Sequence, residues 1–379
     1  MSNNNQIGLV KSPDEEIDFP ISFEEWEEKA AGMMFEGGYG YASSSAGREE
    51  TARRNVEAFA KWATVPRTLS DVSEADMSIT LFGRTYPRPF LLAPIGVQKL
   101  AHIEGELASA KAAAAMNIPF VLSTVASHSI EEVAAAAPDG SNWFQLYWSS
   151  NEEISFSMVE RAEKAGYEAI VVTVDTVMPG FREVDIRNQF SPIAKGFGKA
   201  NYISDPVFMK SLTSQDEESI VAAVLKNMLT PSLHWKHIAK LKEKTNLPIL
   251  LKGILHPEDA LTALEYGVDG IIVSNHGGRQ LDGVIASIDA LPSIAEAVQK
   301  RVPILLDSGI RRGIDAVKAF ALGADAVLIG RPFLYGLAAN GQQGVEKVFE
   351  RFFHETETTL ALSGIANLSQ IGRLKMVRE

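Results

Sequence analysis

His276 and Arg279 stand three residues apart where an apolar run breaks into a glycine-rich turn, Ile271-Ile272-Val273-Ser274-Asn275-His276-Gly277-Gly278-Arg279-Gln280-Leu281-Asp282. An imidazole can take a proton near neutral pH. A guanidinium can hold a carboxylate through two parallel hydrogen bonds. Together they point to removal of a proton from a small acid. The competing reading is a loop whose His and Arg only cap a helix. Further along, Asp307-Ser308-Gly309-Ile310-Arg311-Arg312-Gly313 and Gly330-Arg331-Pro332 combine glycine with arginine. Glycine lets backbone N–H groups point at an oxyanion, a following helix N-terminus adds positive potential, and arginine neutralises charge. These two stretches predict a phosphate site; the bland alternative is a basic loop paired with surface carboxylates.

The elements that must position these groups follow a rhythm that begins at Pro87. Eight apolar runs (Phe90–Ala93, Phe120–Ser123, Trp143–Tyr147, Ala169–Asp175, Ile249–Lys252, Ile271–Asn275, Ile304–Asp307 and Ala326–Gly330) alternate with helix-like stretches such as Glu104–Met116 and Ile288–Lys300. Uninterrupted apolar runs suit strands buried on both faces. Eight strand–helix units predict a (β/α)8 barrel, an α/β fold whose chemistry sits at the C-terminal ends of its strands. A doubly wound open sheet is the runner-up, but no G-x-G-x-x-G opens a helix here.

The strand ends then supply a coherent set. The first, Ala93-Pro94-Ile95-Gly96, carries little bulk, as a close-lying flat ligand requires. Ser123-Thr124, Gln145-Leu146-Tyr147 and Thr173-Val174-Asp175 offer hydroxyls, an amide, a phenol and a carboxylate. Pro179-Gly180-Phe181-Arg182 adds a second arginine, and Lys252-Gly253 a lysine that a strand end would bury unless an anion answers it. A phosphorylated planar cofactor over the barrel mouth, with a carboxylate substrate above it, accounts for all of these.

Outside the barrel, residues 1–86 are expected to form a helical extension that packs on the barrel of residues 87–379. Residues 1–16 form a polar arm. Ser22-Phe23-Glu24-Glu25 has capping-box spacing and opens a helix through Trp26 toward Met34. Gly37-Gly38-Tyr39-Gly40-Tyr41 is read as a glycine-broken stretch, with a second helix from Glu49 to Trp62. The rhythm breaks after the fourth strand, and residues 183–232 form a long loop expected to act as an active-site lid.

The bulk properties limit the partners. The chain has 379 residues, 36 Lys+Arg against 48 Asp+Glu, and a formal net charge of -12, which argues against nucleic acid or anionic membrane. The absence of cysteine excludes disulfides, thiolate nucleophiles and cysteine-bound metal clusters. The N-terminal residues lack the basic and apolar parts of a signal peptide, and no apolar run is long enough to span a bilayer, so a cytoplasmic location is expected. His234 and His237 lie i,i+3 on a predicted helix without a third ligand and are read as polar helix surface; no metal is expected. His102, His128, His256 and His354 are read as surface or capping residues.

SNHGGRQLD, with LPILLKG upstream and DSGIRRG and GADAVLIGRP downstream, resembles the FMN-dependent 2-hydroxy acid oxidases and dehydrogenases; WFQLY, TVDT, ALGADA and HIEGE are in register as well. The likeness runs from Phe19 to Leu368. It implies FMN as cofactor, a small 2-hydroxy acid as substrate, oxygen as partner and a homotetramer. By that resemblance Pro94, Ile95 and Gly96 lie by the flavin N5 region, Ser123, Gln145, Thr173 and Ser274 line the isoalloxazine, and Lys252 sits at N1 and the C2 carbonyl. Asp307, Gly309, Arg311, Gly330 and Arg331 would hold the ribityl phosphate. Tyr41, Tyr147, Arg182 and Arg279 would bind substrate, with His276 the base and Asp175 its orienting partner.

Within that family, glycine at position 96 resembles both the lactate 2-monooxygenase branch and the mandelate dehydrogenases; the sequence Asp307-Ser308-Gly309 and the segment NYISDPVF (Asn201–Phe208) lean toward the monooxygenase, which converts lactate and oxygen to acetate, carbon dioxide and water. Leu281-Asp282 follows the wider family instead. An oxidase that releases peroxide and a dehydrogenase with another acceptor are the alternatives. A phosphate-binding barrel isomerase or a non-catalytic flavin carrier would have no use for a His–Asp pair beside two arginines.

Overall fold

A computed structural model describes residues 19–379; the polar arm of residues 1–16 lies outside them. Eight parallel strands close a barrel. In chain order they are β1 (Phe90–Leu92), β2 (Phe120–Ser123), β3 (Asn142–Leu146), β4 (Ala169–Thr173), β5 (Ile249–Ile254), β6 (Gly270–Val273), β7 (Ile304–Leu306) and β8 (Ala326–Ile329). Each strand pairs with its sequence neighbour, and β8 closes on β1 through Val327–Phe90 and Ile329–Leu92. The eight runs read from sequence are these strands, shifted by one or two residues at their ends, where polar side chains leave the ladder.

The period of two along each strand divides the core. Leu91, Val121, Trp143, Val171, Leu250, Ile272 and Leu305 fill the barrel interior, while their neighbours Phe90, Leu122, Phe144, Val172, Leu251 and Val273 face the surrounding helices. A hairpin, Ile79–Leu81 with Arg84–Tyr86, adds Leu81 and Tyr86 to the interior cluster and stoppers the N-terminal end. The Tyr86 hydroxyl donates to Glu168 at 3.0 Å, and burial pushes its phenol up to about 12. That packing closes the barrel interior from below and leaves the C-terminal mouth for the cleft described next.

The segment before the barrel holds strands as well as helices. Helix Phe23–Met33 begins at the capping box predicted for Ser22 and Glu25. Helix Glu50–Ala60 ends sooner than expected, because Trp62–Val65 pairs antiparallel with Lys375–Arg378 near the C-terminus. The stretch read as glycine-broken is also helical, Glu36–Ser43. Tertiary packing overrides glycine's poor helix propensity there: a Cβ on Gly37 would meet Phe190 at 2.9 Å, one on Gly38 would meet Phe35 at 2.9 Å, and one on Gly40 would meet Asn188 at 2.9 Å.

The connection after β4, expected as a loop, is built of short helices: Glu183–Arg187, Ala200–Ile203, Pro206–Ser211 and Glu217–Asn227. Its middle is fastened to the barrel. Asn201 donates to the carbonyls of Ser123 and Thr124 at 3.2 and 3.1 Å and accepts from Ile130 N at 2.9 Å. Asp205 caps the helix that follows it and pairs with Arg161 at 3.2 Å. The sequence pattern hid these helices because each is short and their apolar residues, Tyr202 and Phe208 among them, are buried against the barrel rather than along one long stripe. Among the described residues, no helix is long and apolar enough to cross a membrane.

Candidate active site

The open mouth is a cleft of about 1090 Å³, and its walls include Tyr41, Pro94, Ile95, Gly96, Tyr147, Arg182, Lys252, His276, Arg279, Asp307, Gly309, Arg311, Gly330 and Arg331. All of these were singled out from the sequence. Ser123, Gln145, Thr173, Ser274 and Asp175 stand behind that wall. Ser123 Oγ donates to Gln145 Oε1 at 3.0 Å, and Gln145 Nε2 donates to Thr173 Oγ1 at 3.0 Å. These three side chains hold one another across β2, β3 and β4, so their donors and acceptors keep a fixed orientation beneath the cleft.

His276 follows β6 in a left-handed conformation, φ 60°. A non-glycine residue there is strained, and such strain persists where surrounding contacts impose it. The contacts are Nδ1 to Asp175 Oδ1 at 2.8 Å and backbone N to Ser274 Oγ at 3.0 Å. Nε2 is left facing the cleft, 3.4 Å from the Tyr147 hydroxyl, and the two rings lie nearly parallel at 14°. Burial lowers the imidazole below the usual histidine value, against the opposing pull of Asp175; Lys252 and Arg182 add to the lowering. The resting ring is therefore neutral, with Asp175 fixing which nitrogen carries the proton. Burial pushes the Asp175 carboxyl up, but His276, its hydrogen bond and Lys252 outweigh this and hold it low.

Asp175 can come this close because of a glycine. Strand β5 shifts register between Lys252 and Ile254, Gly253 has φ 111°, and a Cβ there would stand 2.7 Å from that of Asp175. The same irregularity aims Lys252 at Ser274 Oγ, 3.0 Å, and Asp307 Oδ2, 3.2 Å. Burial alone would lower the ammonium; Asp307 and Asp175 outweigh it, so the lysine stays protonated.

The two arginines of the mouth both lie over the Tyr41 ring. Arg279 lies 4.8 Å from the ring centre and Arg182 lies 5.7 Å from it. Arg279 donates through Nη1 to the carbonyls of Tyr41 and Ser44. Burial, then Arg182, lowers its guanidinium to about 10, which leaves it charged at neutral pH. Arg182 donates to Arg279 O at 3.2 Å and Gln280 Oε1 at 3.1 Å. On the opposite side, Arg311 lies against the Phe23 ring at 4.3 Å, and Arg331 donates to Ala42 O, Gly277 O, Ser44 O and Ser45 Oγ. Arg331 thus ties the N-terminal segment to the His276 turn. Among the described residues neither Arg311 nor Arg331 has a carboxylate within ion-pair distance.

Several residues were given no positioning role from the sequence. Ser308, at φ 77°, donates to Asp307 Oδ1 at 2.8 Å and accepts from Gly277 N at 3.0 Å, so it links the predicted phosphate loop to the histidine turn. Thr176 donates to Asp175 Oδ1 at 2.8 Å. Asp282 accepts from Arg48 N and Thr51 N at 2.9 and 2.8 Å, at the start of helix Glu50–Ala60. Asn55 on that helix exchanges two amide hydrogen bonds with Asn275, at 2.8 and 2.7 Å. Both asparagines are buried. Asn55→Ala would leave the Asn275 amide half-paired, at a cost of about 1–3 kcal/mol. The expected result is a lower melting temperature together with a lower kcat/KM, because the residue beside His276 loses its anchor. A melting curve and activity both equal to wild type would show that the amide pair positions nothing.

His128, read as a surface residue, is instead buried and paired with Glu106 at 3.0 Å. Glu106 also accepts from Gln98 N and Ser127 N, and Gln98 Nε2 donates to Ile95 O, so the pair braces the loop that carries Gly96. His234 caps helix Trp235–Lys242, and its ring centre is 4.3 Å from that of His237. Among the described residues no group of three or more His, Cys, Asp or Glu is placed to hold a metal.

These donors fit a phosphorylated flavin. Arg311 and Arg331 line the same cleft, a Cβ at Gly330 would find its nearest neighbour, Ala93, only at 4.0 Å, and a buried cation faces the cleft at Lys252. The chain belongs to the FMN-dependent dehydrogenase family, whose pattern matches residues 30–378. It is an FMN-dependent oxidoreductase. It is 56% identical over 370 residues to an L-lactate oxidase of Lysinibacillus sphaericus, covering 98% of this chain and 96% of that one. It is 40% identical over 353 residues to human 2-hydroxyacid oxidase 1, covering 93% and 95%. Among solved structures it is similar to a lactate oxidase of Pediococcus acidilactici (38% identity, TM-score 0.87, 96% of each chain). It is also similar to a mandelate oxidase (36% identity, TM-score 0.86, 95% of this chain and 99% of the other).

Proposed function

We propose that this protein oxidises L-lactate at the 2-hydroxyl carbon and passes the electrons to oxygen, giving pyruvate and hydrogen peroxide. The observation that carries this reading is the neutral His276–Asp175 couple facing the same cleft as the Arg182–Arg279 pair. Bound FMN supplies an acceptor for two electrons from the substrate carbon. Asp307, Gly309, Arg311, Gly330 and Arg331 would hold its phosphate, and Lys252 would place positive charge beside its ring. Arg182 and Arg279 bind the substrate carboxylate and thereby orient the hydroxyl-bearing carbon. Tyr147 donates to substrate oxygen, and Nε2 of His276 takes the proton that leaves the substrate. Asp175 stabilises the imidazolium that results. The likeness to the L-lactate oxidase of Lysinibacillus sphaericus favours lactate over larger acids.

A second reading, lactate 2-monooxygenase, is favoured by Gly96. A Cβ there would meet Val125 Cγ2 at 2.6 Å and Val125 O at 2.9 Å, so the close approach of Val125 holds this position as glycine. A keto acid retained in the cleft while oxygen is reduced would be oxidised by the peroxide formed there, giving acetate, carbon dioxide and water. Aerobic turnover with L-lactate, with pyruvate, peroxide and acetate measured together, separates the two. One peroxide and one pyruvate per oxygen support the oxidase; acetate and carbon dioxide with little peroxide support the monooxygenase. A flavin that L-lactate does not reduce overturns both.

A further inference from the structure

The mouth of the cleft carries cations answered in different ways. Lys252 is met by Asp307, and Arg331 is spent on backbone carbonyls. The Arg182–Arg279 pair repels itself, and among the described residues Asp185 is a carboxylate whose charge bears on both. Asp185 sits on the short helix Glu183–Arg187, which packs against Glu36–Ser43, the helix that carries Tyr41. Its Oδ2 lies 3.8 Å from Arg182 Nη1, within ion-pair range but beyond a hydrogen bond, and its side chain is only 16% exposed. Its Oδ1 is buried without any hydrogen-bond partner. A carboxylate held this way loses much of its hydration and regains little. A permanent structural ion pair would be expected to use both oxygens.

We propose that Asp185 is an internal competitor for the substrate carboxylate: it neutralises the Arg182–Arg279 pair while the site is empty and gives way when a 2-hydroxy acid binds. The weak geometry is what such a role requires, because a tight bidentate pair would exclude the substrate, whereas no counter-charge would leave two half-buried guanidinium groups repelling one another across the same mouth. The same contact acts on the product, since a keto acid presents an identical carboxylate. Asp185 thus sets how tightly the site holds both. The backbone leading to it is held, Met178 O by Gln280 Nε2 at 3.0 Å and Phe181 O by Gly47 N at 2.8 Å, so what gives way is the Asp185 side chain itself, which has no hydrogen bond among the described residues to break. This inference rests on the 2-hydroxy acid reading of the site.

The test is calorimetric titration of the FMN-loaded protein with oxamate, an unreactive monocarboxylate, for wild type, Asp185→Asn, Asp185→Ser and Asp185→Glu. Removing one competing charge near the binding arginines is expected to lower the oxamate Kd roughly 3- to 10-fold in both the Asn and Ser variants. The KM for L-lactate should fall with it, while Asp185→Glu, which keeps the carboxylate, stays close to wild type. Unchanged or weaker oxamate binding in the Asn and Ser variants would overturn the inference and assign Asp185 to orienting Arg182. If the wild-type protein itself fails to bind oxamate, the carboxylate reading of the arginine pair falls first and this inference falls with it.

Discussion

Anaerobic flavin reduction by L-lactate slows by about 10³-fold or more in His276→Gln, since general base catalysis commonly contributes two to four orders of magnitude. Glutamine keeps a polar group near Tyr147 and Asp175 but cannot take a proton. Stopped-flow absorbance with saturating lactate measures the step directly, and a wild-type rate would remove His276 from the mechanism. The pH dependence follows the same logic. Burial lowers the imidazole below its ordinary 6.5, so the neutral base predominates at pH 7 and the acid limb of kcat/KM lies below the ordinary histidine value. As pH falls through that folded value the ring protonates and activity is lost. Asp175 is the largest influence raising the ring. Asp175→Asn should therefore move the acid limb to still lower pH while depressing the plateau, because the imidazolium formed in the reaction loses its counter-charge. A limb displaced upward would contradict the assignment.

Arg279→Met should lower kcat/KM for L-lactate by about 10²- to 10³-fold, chiefly through KM, with FMN content preserved. Truncating one partner of a buried, hydrogen-bonded charge pair typically costs a few kcal/mol, and the carbonyls of Tyr41 and Ser44 would lose their donor as well. Arg182→Met should cost less, because Arg182 bridges no other segment through two carbonyls as Arg279 does; it is placed by Gln280, the Arg279 carbonyl and the weak Asp185 contact. Flavin-to-protein absorbance ratios after purification check retention of the cofactor. Loss of FMN in Arg279→Met would place that residue with Arg311 and Arg331 instead.

The barrel was legible because strands buried on both faces must be apolar throughout, and a polar or small residue marks most of their ends. Those ends also exposed the site: Lys252, His276, Arg279, Asp307 and Arg331 all interrupt or follow apolar runs and all line one cleft. The helices after β4 were less legible, since four short segments stabilised by Asn201, Asp205 and Arg161 leave no periodic stripe. The helical form of Glu36–Ser43 was hidden for the opposite reason: its glycines argue against a helix locally, and only Phe35, Phe190 and Asn188 pressing on them explain it.

By itself the sequence determined the fold class, the FMN family and the set of residues at the cleft, because each depends on residue type at a strand end. The tertiary structure alone decided what holds them. The Asn55–Asn275 exchange spans 220 residues of chain, Ser308 links two turns 31 residues apart, and Gly253 makes room for Asp175 from a neighbouring strand. Such contacts have no local period or motif, since they arise only when closure of the barrel brings distant strand ends together. The neutral state of His276 and the unpaired oxygen of Asp185 follow from burial in the same closed mouth, a property no residue carries in its own type.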